Sequence, residues 1–167
     1  MFNSRLFLKY WLPVLLWMAV IFLASLDSCS YEHSSRLLEP LLRWLFPQLP
    51  QSAIDTVHTL LRKCAHLTEY AILALLLWRA IGNTRGQKLP KPRQTLALPG
   101  GNNFGRWEAT ALTLAIVFLY AASDEFHQSF VPTRSPMLSD VFIDTCGGAV
   151  GLLVLWIYGL LSEKIIR

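Results

Sequence analysis

Three short stretches of this chain carry ionisable side chains at spacings that suit chemistry. The first is Lys63-Cys64-Ala65-His66-Leu67-Thr68-Glu69-Tyr70. At 100° per residue in a helix, Lys63, His66 and Tyr70 share one face, with Glu69 about a quarter turn aside. The second is Ser123-Asp124-Glu125-Phe126-His127-Gln128. There Asp124 aligns with His127 and Gln128, and Glu125 aligns with Gln128; Arg134 follows closely in the chain. In the third, Asp140 and Asp144 lie one turn apart. Imidazole beside carboxylate is the material of general acid–base catalysis, so His66 and His127, with Asp124 and Glu125, are the catalytic candidates. The wider set Lys63, His66, Glu69, Tyr70, Asp124, Glu125, His127, Gln128, Arg134, Asp140 and Asp144 is the candidate binding site. The same carboxylates and imidazoles are plausible ligands of a divalent cation such as Zn²⁺ or Mn²⁺. No metal-ligand motif accompanies them, so no metal residues are assigned and the cofactor is left open. The bland alternative is that these residues only cap helices and pair with one another, Lys63 with Glu69 and Arg134 with Asp140.

The elements that position these groups are membrane segments. Of the 167 residues 53% are hydrophobic and only 16% charged, with a mean hydropathy of +0.40. That excess lies in long charge-poor runs, which excludes a disordered chain or a water-soluble module. A net charge of +4 is too small for a nucleic-acid partner to be expected. A spanning helix needs about 20 mostly apolar residues. Four such helices are expected, over about 10–26, 52–81, 108–127 and 140–162, in a single domain covering 1–167. The fold class is therefore an all-α membrane protein. The first run follows Arg5 and Lys9, yet Ala24-Ser25-Leu26-Asp27-Ser28-Cys29 has no small-residue cleavage pattern, so it reads as a retained anchor.

The loops add direction. With four spans, one side carries ten of the fifteen Lys and Arg residues, among them Arg5, Lys9, Arg79 and the basic residues of 82–106. The positive-inside rule puts both termini in the cytoplasm. The loop 82–106, with five Gly and three Pro, reads as a flexible cytoplasmic connector. Residues 34–46 of the first outer loop set Leu37, Leu38, Leu41, Leu42 and Trp44 against Arg36, Glu39 and Arg43, an amphipathic helix suited to the membrane interface. Ser52-x-x-Asp55 resembles a capping box ahead of the second span.

This topology brings the three polar stretches to the outer ends of three helices. Two cations, Lys63 and Arg134, face five carboxylates there, a net of −3 with both histidines neutral. Such a site repels a phosphate unless carboxylates are protonated or a cation is bound. Buried charge of this kind costs about 2.5–3.5 kcal/mol per Asp, Lys or Arg at a helix centre on the insertion scale, which makes it a functional-site hypothesis. Gly147-x-x-x-Gly151 lets another helix backbone approach closely, within the chain or in a homodimer. A transporter would need such a dimer, because four helices make a thin pore. Cys29, Cys64 and Cys146 form no CxxC pair; they are expected to be small buried side chains, with a disulfide between two of them as the alternative.

The ordered motifs Lys63-x-x-His66-x-x-Glu69-Tyr70, Ser123-Asp124-Glu125-x-His127-Gln128, Pro132-Thr133-Arg134 and Asp140-Val141-x-x-Asp144-Thr145-x-Gly147 resemble the VanZ-like family. These are small bacterial membrane proteins, named after a member encoded with glycopeptide-resistance genes and linked to teicoplanin resistance. This chain departs from the family pattern at Thr133, where Gly is usual. It departs again at Leu23-Ala24-Ser25-Leu26, where a Phe-Ser-Ser type tail is common. The resemblance implies a multi-pass protein of the bacterial inner membrane but no reaction, and resistance does not transfer with it. Two functions follow as expectations. In one, the polar site binds a lipid-linked envelope precursor or a lipoglycopeptide at the outer leaflet. In the other, the protein is an intramembrane hydrolase or transferase, with or without a divalent metal, acting on an envelope lipid. Membrane lipids are the expected partners in both.

Overall fold

The computed structural model describes residues 4–25, 31–84, 103–130 and 137–164. The described residues are almost wholly helical: α1 (Ser4–Ser25), α2 (Tyr31–Leu45), α3 (Gln51–Thr84), α4 (Asn103–Gln128) and α5 (Leu138–Lys164). Four of these, α1, α3, α4 and α5, are long and apolar enough to cross a membrane. Helices suit that solvent because each backbone N–H finds its acceptor within the same segment. Pro13, inside α1, has no N–H to offer the Lys9 carbonyl, a loss that membrane helices tolerate.

Side-chain ties fix the directions of the four helices. Trp11 Nε1 donates to Thr84 Oγ1 (2.8 Å) and Trp17 Nε1 to the Glu69 carbonyl (2.9 Å), so α1 and α3 are antiparallel. Tyr120 OH donates to the Met18 carbonyl (2.6 Å) and Ser25 Oγ to Asp124 Oδ2 (2.8 Å), so α1 and α4 run together. Helices α3 and α5 are parallel and in intimate contact. A Cβ built on Gly147 would lie 2.5 Å from the Leu67 carbonyl oxygen, and one on Gly151 would lie 2.7 Å from that of Ala71. The glycine pair is thus taken up by α3 of the same chain. Gly148 faces α4 instead, where an added Cβ would meet Val117 Cγ1 at 2.9 Å.

The core is a narrow column between these helices: Val14 and Ile21 of α1, Tyr70 to Ile81 of α3, Ala109, Val117 and Ala121 of α4, and Val141 of α5. Large apolar side chains also cover the outside, among them Leu12, Leu16, Leu119, Val154 and Trp156. In water that surface would be an aggregation hazard; in a bilayer it is the lipid contact.

Two helix ends differ from the sequence reading. The segment expected to begin a loop at Gly82 instead completes α3, and Gly82 is buried. Asn83 donates to the Arg79 carbonyl and Thr84 to that of Ala80, which sustains the last turn, while Trp11 anchors Thr84 from α1. At the other end α3 starts at Gln51, and the amides of Ala53 and Ile54 both reach the Pro50 carbonyl. Ser52 therefore sits inside the first turn rather than capping it. With 34 residues at 1.5 Å each, α3 is about 51 Å long, well beyond a hydrocarbon core of about 30 Å. Among the helices, α2 packs only against this long α3.

Candidate functional site

The site lies at the end of the bundle where α1 and α4 terminate and α5 begins, alongside the middle of α3. Its deepest group is Asp144, on the face of α5 that also carries Val141 and Gly148. Only 1% of its surface is exposed. His66 of α3 places Nδ1 3.6 Å from Asp144 Oδ1, an ion-pair distance but too long for a hydrogen bond. Asp144 is also within electrostatic range of Asp124, Glu125, Asp140 and Glu69. The carboxylates of α3, α4 and α5 thus share one locality.

Each remaining member has a distinct setting. Asp124 is 3% exposed and accepts through Oδ2 from Ser25 Oγ and from Gln128 Nε2 (3.1 Å). Glu125 is buried and turns to the chain's own backbone: Oε2 accepts from the Met137 amide (3.0 Å), joining the end of α4 to the start of α5. His127 stacks on Phe22 of α1, with ring centroids 4.5 Å apart. Tyr70 is wholly buried, its ring 6.3 Å from that of Tyr120 and its hydroxyl in electrostatic range of Asp124 and Asp144. Glu69, Lys63 and Asp140 are half-buried around this centre. Arg134, expected as a binding residue paired with Asp140, lies outside the described residues, as does Cys29.

Some expectations for these residues change. Lys63 and Glu69 form no ion pair among the described residues, because six helical residues carry their side chains to different levels and faces. Cys64 and Cys146 are free thiols and are exposed rather than buried. Among the described residues no three His, Cys, Asp or Glu side chains are grouped so as to hold a metal ion.

Sequence reasoning missed three participants. Ser25, buried and bonded to Asp124, closes the site from α1, a helix that had been given no part in it. Phe22 supplies the surface on which His127 lies. Tyr120 lines the approach to Tyr70. The available signal was position: Phe22 and Ser25 fall at the end of an apolar run that the topology brings to the same level as Asp124.

Several polar atoms in this cluster are buried and have no hydrogen-bond partner: Tyr70 OH, Asp124 Oδ1, His127 Nε2 and both oxygens of Asp144. Buried polar groups are nearly always satisfied, and each one left unmade costs about 1–3 kcal/mol, more when charged. Their concentration in one place makes this cluster the candidate site.

Residues 10–160 match the family model described as VanZ/LLP1. The chain belongs to the VanZ/LLP1 family. The resemblance carried by the four polar motifs is therefore correct, and with its four apolar spans this VanZ/LLP1 protein is a multi-pass membrane protein. No curated protein and no solved structure matches the chain.

Proposed function

We propose that this VanZ/LLP1 protein sits in the bacterial inner membrane with both termini in the cytoplasm. Its acidic cluster then lies at the outer leaflet, where it binds the head group of an envelope amphiphile, a lipid-linked precursor or a lipoglycopeptide. The observation that carries this reading is the set of unpartnered buried atoms on Tyr70, Asp124, His127 and Asp144, which a bound head group would satisfy. The ten-to-five distribution of Lys and Arg between the two sides supports the orientation. Leu41, Trp44, Leu45 and Phe46 near the end of α2, and Leu60 and Leu61 of α3, are exposed apolar side chains suited to lie on acyl chains at the interface.

The test is made in cells. Deletion and overproduction are expected to change susceptibility to lipoglycopeptides or other wall-active agents. Alanine at His66, Asp124 or Asp144 is expected to abolish that change while the protein remains at normal level. Unchanged susceptibility on both deletion and overproduction contradicts the proposal.

A second reading is an intramembrane hydrolase or transferase on an envelope lipid. The proximity of His66 to the buried Asp144 favours it, since a carboxylate that orients an imidazole makes a general base. Purified protein would then turn over envelope lipids without added metal, and His66→Ala would stop it.

A further inference from the structure

We infer that the group recognised in the cluster between Tyr70, Asp124 and Asp144 is a primary ammonium carried on an amphiphile, not a phosphate. This rests on the head-group reading above and narrows it to a chemical class.

Asp144 has two carboxylate oxygens without a donor, and Asp124 has one, Oδ1. Both residues are almost completely buried. All three atoms accept hydrogen bonds and cannot donate when ionised. Ser25 and Gln128 already serve the other oxygen of Asp124, Oδ2. The three orphaned oxygens call for donors, and an ammonium supplies three N–H donors and no acceptor; the unpartnered Tyr70 hydroxyl can accept one of them.

Charge points the same way. Asp144 stands in the field of Asp124, Glu125, Asp140 and Glu69. Among the described residues no lysine or arginine is ion-paired with Asp144, Asp124 or Glu69. A phosphate would bring further negative charge into this low-dielectric setting, where like charges repel most strongly. No group of three His, Cys, Asp or Glu side chains set to hold a metal ion is found among the described residues. An ammonium needs only one or two carboxylates, and the aromatic faces of Tyr70 and Tyr120 add a surface that tolerates a cation.

The amphiphile part follows from the surroundings. The site is within a membrane bundle, and Phe22, Phe126 and Phe142 present exposed apolar faces on the three helices α1, α4 and α5 whose ends form it. A head group entering the cluster would leave its chain against such a surface.

The full-length protein in maltoside micelles tests this with dodecylamine, dodecanol and dodecyl phosphate, which share one chain and differ in head group. Dodecylamine at neutral pH is expected to raise thermal stability and to bind at least tenfold more tightly than either of the others. Asp144→Asn and Asp124→Asn are each expected to lose that preference, with melting in the absence of amphiphile reporting whether they fold. Should a variant fail to fold, the wild-type comparison alone decides. Equal binding of the three, or a preference for dodecyl phosphate, overturns the ammonium assignment. If dodecyl phosphate is preferred and the preference is lost in Asp144→Asn, the head-group reading stands without it. If no amphiphile binds at the cluster, both fall.

Discussion

Asp124 and Asp144 are both buried carboxylates, yet the chain treats them differently. Asp124 is held by Ser25 and Gln128, which fastens α1 to α4 at the site. Asp144 receives no hydrogen bond and has only His66 at 3.6 Å. Substitution should separate these roles. Ser25→Ala removes one buried hydrogen bond and is expected to destabilise the protein by about 1 kcal/mol, measured by denaturation in detergent. Asp144→Asn removes no hydrogen bond that the fold uses and relieves a buried, unpartnered carboxylate, so it is expected not to lower stability while abolishing the cellular phenotype. The carboxylates themselves were legible in the sequence, since Asp or Glu in an apolar helix stands out by its cost. Ser25 was not, because a single serine at the end of a run has no period or partner spacing to betray a contact with Asp124, ninety-nine residues away.

At the scale of helices, the seam between α3 and α5 governs whether the site forms, because it sets Asp144 beside His66. Gly147 and Gly151 meet the backbone of Leu67 and Ala71, which cannot move aside, whereas Gly148 meets a valine side chain, which can rotate. Gly147→Ala is therefore expected to cost about 1–3 kcal/mol by overpacking, and Gly148→Ala less, in thermal melts of the detergent-solubilised variants. A larger loss for Gly148→Ala would contradict this packing. The existence of the four spans followed from long runs with little charge. Their ends did not. Glycine at 82 signals a loop in isolation, but polar side chains at Asn83 and Thr84 bond backward to Arg79 and Ala80 and carry the helix on. The glycine spacing announced a close helix contact; only the three-dimensional arrangement identifies α3 of the same chain as its other half.

For the molecule as a whole, the account requires one orientation. Lys9 and Arg79 flank the ring of Tyr10 at one end of the bundle, each 5.3 Å from its centroid, and the acidic cluster occupies the other. Cys64 is exposed one residue beyond Lys63 toward the cluster, so a membrane-impermeant thiol reagent applied to intact cells is expected to label a chain in which Cys64 is the sole cysteine. A cysteine placed at Arg79 in an otherwise cysteine-free chain is expected to react only after the membrane is opened. The reverse pattern would put the cluster on the cytoplasmic face. Motif order made the shared level of the three polar stretches legible, while the part of α1 and the unpartnered oxygens of Asp124 and Asp144 emerge only from packing.

The central claim is that the buried cluster holds a head group. Native mass spectrometry of protein extracted gently from its own membrane tests it most directly. Wild type and Trp156→Ala, altered on the exposed face of α5, are expected to carry the same amphiphile adduct, and Asp124→Asn and Asp144→Asn to lose it while remaining folded. An adduct that persists unchanged in both cluster variants, or is absent from wild type, would contradict the account.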